Sequence, residues 1–247
     1  MLLAVITAGA LAISFVEPIA QPLSYHRFAD TRTFLGIVNF NDVASNMAFV
    51  IAGAIGLVFV HRSGGRFAAA MKLPYLLFFA GVFFVGFGSA YYHLEPSNAR
   101  LFWDRLPMAV AFMALVSAIV ADRIDEMAGN GWLLYLLVAA GVASLLYWRW
   151  SGAVGQGDLR PYIFVQFYPL ILLPFILWLF PAYRITRTSY LCWIAGWYFV
   201  AKLVEHFDHQ IFELLGETVS GHTLKHFAAA GAAFMVLKML REFETGA

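Results

Sequence analysis

The sequence predicts an all-α fold, a polytopic membrane bundle of seven transmembrane helices, with residues 1–16 as an extra helix or a signal segment. Three observations lead there. Hydrophobic residues make up 62% of the 247 residues and charged ones only 13%, where a soluble domain carries about a quarter charged. The apolar residues gather into seven runs, each near the roughly 20 residues that cross a bilayer. Short connectors with Gly, Pro and charged residues separate these runs. No low-complexity tract or linker divides the chain, so 1–247 reads as a single transmembrane domain with a seven-helix core over 42–240.

Taken in order, the apolar start at 1–16 ends at Glu17 and Pro18, and no Lys or Arg precedes it. A secretory signal would carry a basic n-region, so a retained helix is the favoured reading. The seven spans fall near 42–60, 73–92, 106–121, 132–147, 162–180, 189–203 and 223–240. Their connectors include "HRSGGR" (61–66), "EPSNAR" (95–100), "DRIDEMAGNG" (122–131), "SGAVGQGDLR" (151–160) and "PAYRITR" (181–187). Tyr91, Tyr92, Trp103, Tyr147, Trp148 and Trp150 lie near span ends and read as an aromatic belt. If the spans alternate, Arg62, Arg66, Lys72, Arg123, Arg184, Arg187, Lys238 and Arg241 share one side. The other side holds Arg27, Arg32, Arg100, Arg149 and Arg160, so positive-inside places the first set in the cytoplasm.

Composition also limits chemistry. Sixteen basic residues against fifteen acidic give a net charge of +1, which suggests no nucleic-acid partner. The one cysteine, Cys192, lies in an apolar run, so intrachain disulfides are excluded and a metal would need nitrogen and oxygen ligands.

Polar residues converge on one predicted face. Ser89 and His93 close the second span, Asp104 opens the third, and His222 and His226 open the seventh. Ser89 and His93 are four residues apart, as are His222 and His226. Such pairs share a helix face, about 6 Å apart along the axis. Two imidazoles at that spacing can hold one ion, and His93 would complete a three-histidine zinc site with an open position. Zinc lowers the pKa of its water to about 7. Asp104 could orient that water and carry its proton, and Ser89 could donate to a developing oxyanion.

Each residue also has an ordinary reading. The histidines can sit at the interface, Asp104 can cap its helix, and Ser89 can pack as a small residue after Gly86 and Gly88. Lys225 reads as a snorkelling lysine. The stretch "AKLVEHFDHQ" (201–210) offers a second ligand cluster or, more simply, a Lys202–Glu205 ion pair beside a solvated loop. "LLFFAGVFFVGFG" (76–88) can line an acyl-chain tunnel or face lipid. "DRIDE" (122–126) reads as a cytoplasmic turn.

The combination is more specific than its parts. S-x-x-x-H, an Asp eleven residues after that His, and H-x-x-x-H opening the last span resemble the alkaline ceramidases. They also resemble the wider CREST group of seven-helix metal hydrolases that includes the adiponectin-receptor-like proteins. The matching text is "GSAYYHLEPSNARLFWDRLPM" (88–108) and "SGHTLKH" (220–226). "FADTRTFLGIVNFNDVASN" (28–46) and "GDLRPYIFVQFYP" (157–169) are similar to bacterial members.

The resemblance implies zinc on His93, His222 and His226, with Asp104 assisting the water and Ser89 the oxyanion. It implies a membrane-embedded ceramidase that cleaves a ceramide-like lipid to a sphingoid base and a fatty acid. It also implies residence in a bacterial inner membrane, and the positive-inside assignment turns the site towards the non-cytoplasmic side. Residues 17–34 depart from the eukaryotic members: Glu17 and Asp30 are present, but not the acidic, tryptophan-bearing calcium cluster. Two other classes stay open at this point. One is a lipid receptor or sensor with a structural zinc site, and the other a serine hydrolase using Ser89 and His93.

Overall fold

A computed structural model describes residues 1–64, 69–155 and 157–246. Arg66, used in the charge comparison above, and Gln156 lie outside the described residues. Among the described residues there is no β-strand, only an isolated bridge between Phe34 and Ile37.

The helices are α1 (Leu2–Ser14), α2 (Phe40–Ser45), α3 (Met47–Arg62), α4 (Ala69–Leu94), α5 (Asn98–Arg123) and α6 (Glu126–Asn130). They continue as α7 (Trp132–Ala153), α8 (Arg160–Leu179), α9 (Thr188–His206), α10 (Asp208–Leu214) and α11 (Gly221–Thr245). A 3-10 turn, Leu23–His26, follows α1. The all-α polytopic bundle is therefore what the chain forms. Six helices are long and apolar enough to cross a membrane: Phe40–Arg62, Met71–Leu94, Asn98–Arg123, Trp132–Ala153, Arg160–Leu179 and Gly221–Thr245. The seventh expected span is α9, which has 19 residues but falls outside that set. Its Lys202, Glu205, Tyr and Trp residues dilute its apolar character.

The bundle forms an almost complete ring. Neighbours α3–α4, α4–α5, α5–α7 and α7–α8 pack in succession, and α9 packs on α11, which returns to α3. Between α8 and α9 few backbone positions come close; side chains span the gap, Ile176 and Leu191 sharing an apolar cluster and Gln166 Nε2 donating to Tyr198 Oη at 3.1 Å. The N-terminal α1 lies against α8. Arg160, held by a bidentate pair with Asp158, also reaches the Val16 carbonyl. That pair with the Arg160 guanidinium holds the Asp158 carboxyl below the usual carboxylate range.

Small residues set the close approaches, as is usual between membrane helices. A Cβ on Gly88 would run into the Trp103 carbonyl oxygen of α5. Pro107 lies four residues after Trp103 and has no N–H to give that carbonyl. The freed oxygen is what the bare Gly88 backbone packs against. Similarly, Gly221 seats the start of α11 against the Val204 carbonyl and Asp208.

Several expectations need correcting. The third span starts at Asn98, not 106, with Ser97 as the capping side chain, so Asp104 is not a cap. It sits about 9 Å along the helix, by the 1.5 Å rise per residue. Tyr92 and Trp148 are core residues rather than belt residues, whereas Tyr91, Trp103, Tyr147 and Trp150 are exposed. "DRIDE" is not simply a turn. Asp122 and Arg123 end α5 as buried groups: Asp122 accepts from the Ile185 and Thr186 N–H groups, and Arg123 donates to Thr186 and the Phe180 carbonyl. They clamp the loop between α8 and α9. Polar groups in a membrane protein must be satisfied internally, and this end of the bundle is where these residues do so.

Candidate metal centre

The opposite end brings the three histidines together, and Ser89 and Asp104 line the same cavity as one of them, His226. His93 arrives at the end of α4, and His222 and His226 on the first turns of α11. The Nε2 atoms of His93 and His222 are 3.2 Å apart. Ring centroids lie 4.8 Å apart for His93–His222, 5.1 Å for His93–His226 and 4.9 Å for His222–His226. One ring nitrogen from each falls within 4.8 Å of the other two, and all three residues are buried. This is the only such group among the described residues.

The donor set fits a metal ion. Ser45 Oγ donates to the Asp42 carbonyl at 3.2 Å and lies 2.7 Å from His226 Nδ1. A hydroxyl has one proton, so Ser45 accepts the Nδ1–H of His226 and leaves the lone pair on Nε2. That Nε2 is buried with no protein partner. Two ligands at about 2.0–2.1 Å from a tetrahedral ion stand roughly 3.3 Å apart, close to the spacing of the His93 and His222 nitrogens. Three histidines can therefore bind one ion here.

Backbone anchors surround them. Asn39, in the left-handed region at φ 50°, donates through Nδ2 to the His93 carbonyl at 2.7 Å. Asp208 accepts from the His222 N–H at 2.7 Å and from the Ala29 N–H at 2.9 Å. Asp42 accepts from Ser220 and Thr223, which fixes the start of α11. Above the group lies the loop after α1: the Phe28 ring sits 4.7 Å from that of His93 and 4.5 Å from that of His222. Asp30 braces this cover through Arg32 and Asn41, and Arg32 bonds the Thr218 carbonyl. Burial works to raise the Asp30 carboxyl, but the Arg32 and Asn41 hydrogen bonds outweigh it and hold it below its ordinary range.

Asp104 and Ser89 share a wall of a cavity of about 180 Å³, with the Ser89 hydroxyl beside the Asp104 carboxylate. The cavity begins at these groups and His226 and runs between α4, α5, α8, α9 and α11 to Ile119, Ile176 and Leu191. From Asp104 to Ile119 is about 22 Å along α5. Of the phenylalanine-rich stretch, Phe78, Val82 and Val85 line the cavity, whereas Phe84 and Phe87 face outwards.

Lys225 does not snorkel. It is mostly buried, pairs with Glu205 Oε1 at 2.6 Å, and places Nζ 3.4 Å from His222 Nε2. Lys202 pairs with Glu205 Oε2 at 2.7 Å, so the ion pair expected there has a third member. The suggested second ligand cluster does not form among the described residues: Glu205 is taken by lysines and Asp208 by backbone N–H groups.

Ser45, Asp42, Asn39 and Phe28 were not singled out from sequence as contributors to the site. Each is a common residue type far along the chain from the histidines, and only the fold reveals the contact. No protein-family model matches the chain, and no curated protein is significantly similar to it. The fold and site define an integral membrane protein whose buried three-histidine group can bind a metal ion.

Proposed function

We propose that this protein is an intramembrane zinc-dependent amide hydrolase acting on long-chain N-acyl lipids of the ceramide type. The observation that carries the reading is the three-histidine group, of which His226 lines a long apolar cavity together with Asp104 and Ser89. Three imidazoles without a thiolate or a second carboxylate suit zinc, with a position left for water. Zinc bound there supplies a Lewis acid and acidifies its water towards neutral pH.

The chain's own residues account for the remainder. The cavity takes the acyl chain, and its roughly 22 Å exceeds half the 30 Å hydrocarbon thickness. The α8–α9 wall, where side chains rather than close backbones make the contact, gives a lipid a sideways route in. Phe28 and the loop around it exclude bulk water from above. In the reaction, water adds its oxygen to the acyl carbonyl carbon and the C–N bond breaks. Asp104 takes the water's proton and delivers it to the departing nitrogen. Ser89 aims the Asp104 carboxylate and, on turning its single O–H, donates to the carbonyl oxygen as negative charge develops.

Elemental analysis of the purified protein, paired with mass spectrometry of a mixed N-acyl lipid pool, tests this reading. One zinc per chain with release of free fatty acid and amine is expected, and His222→Ala should lose both. Zinc-loaded protein that binds such lipids and leaves them intact would make it a receptor, not a hydrolase.

A further inference from the structure

Lys202 and Lys225 line the cavity beside His226 and Asp104, whereas Glu205, which holds both, does not line it. One carboxylate thus stands behind two ammonium groups and fixes their direction. Each ammonium has three donors. Lys202 gives one to Glu205, and Lys225 gives one to Glu205, with its Nζ 3.4 Å from His222 Nε2, whose lone pair is the one a metal would take. The Tyr25 hydroxyl adds to Glu205 at 3.5 Å. Among the described residues no ion pair within contact distance joins either lysine to Asp104, which sits on the facing α5 wall beside Ser89 and attracts Lys225 across the cavity. The triad carries a net charge of +1, felt across the cavity by the Asp104 carboxylate, and neither ammonium has its donors filled by contact with that carboxylate.

We propose that this triad is an anion-recognition element, and that the preferred substrate is an N-acyl lipid bearing a carboxylate or phosphate on its amine half, close to the amide. The inference rests on the amidase reading and narrows its substrate class. With the acyl chain in the apolar cavity and the amide between Asp104 and the histidines, the amine half falls against the α9–α11 wall that carries Lys202 and Lys225. A carboxylate or phosphate there completes the ammonium donors with charge-assisted bonds, about twice as strong as neutral ones. A neutral head leaves them unmatched.

The test compares lipids of one acyl chain: N-palmitoylglycine, its neutral methyl ester, a palmitoyl ceramide and the corresponding ceramide 1-phosphate. Each is assayed for hydrolysis by zinc-loaded protein and, separately, for binding by native mass spectrometry. The anionic members should show KM values about ten-fold or more below their neutral partners. In Lys202→Met that ratio should fall towards one, and Lys202→Arg should keep it. A carboxylate-only or phosphate-only preference tells which anion the wall accepts and supports the proposal either way. Equal KM and equal binding for acid and ester in the unmodified protein overturn it while leaving the amidase intact. Tighter binding of the anionic members that depends on Lys202, with no cleavage of any lipid, sinks the amidase reading and retains the anion site.

Discussion

His226 is held from behind by Ser45, and that contact does two things at once: it orients the ring and assigns its tautomer. Outer partners of this kind are worth about 10–100-fold in metal affinity when removed. Ser45→Ala should therefore weaken zinc binding by about that factor, measured by competition with a chromogenic chelator, while Ser45→Thr keeps the hydroxyl and most of the affinity. An unchanged zinc affinity in Ser45→Ala would show that the ring is fixed by packing alone. The sequence exposed the histidines because their spacing repeats and ionisable groups in apolar runs are conspicuous. It hid Ser45, 181 residues away from His226, because a serine near a span end has many ordinary uses.

Between elements, the α4–α5 contact decides where Asp104 stands. Gly88 meets the Trp103 carbonyl, Pro107 leaves that carbonyl without its helical donor, and Ser89 next to Gly88 reaches Asp104 next to Trp103. One added methyl at Gly88 has backbone, not a flexible side chain, in its way. Gly88→Ala is expected to cost about 1–3 kcal/mol from overpacking, seen as a lower Tm, and, on the proposed amidase function, to lower kcat by shifting Asp104. Gly196→Ala on α9, where a Cβ meets open space, should not destabilise, since alanine is the better helix former. If both variants melt alike, the close approach does not govern this pair. The spans themselves were legible as apolar runs, but their ends were not. The opening of α5 carries Arg100, Asp104 and Arg105, which mask eight helical residues before 106: Asp104 is buried, Arg105 is buried against the Tyr25, Trp148 and Tyr162 rings, and Arg100 pairs with Glu95 at the surface.

Across the whole molecule, the histidines link parts of the chain that otherwise touch little. His93 and His222 are 129 residues apart, and α4 packs mainly on α3 and α5 while α11 packs mainly on α9. The seven-helix arrangement could be read from composition and spacing, yet its seam between α8 and α9 could not. That seam depends on which apolar faces find partners, and apolar runs surrounded by lipid carry little periodic signal. Because the backbone contacts of α9 are chiefly with α11, an ion shared by α4 and α11 would brace the open side. A ligand that binds only the folded state stabilises it by about 2.7 kcal/mol at a hundredfold excess over Kd. Stripping zinc with a chelator should therefore lower Tm by several degrees for a chain of this size, and adding zinc back should restore it. His222→Ala, which removes one of the linking rings, should melt near the stripped temperature and respond to neither treatment. A stripped wild-type protein that melts together with the zinc-loaded form would mean that the bundle closes through its apolar contacts alone, and that the three histidines brace nothing.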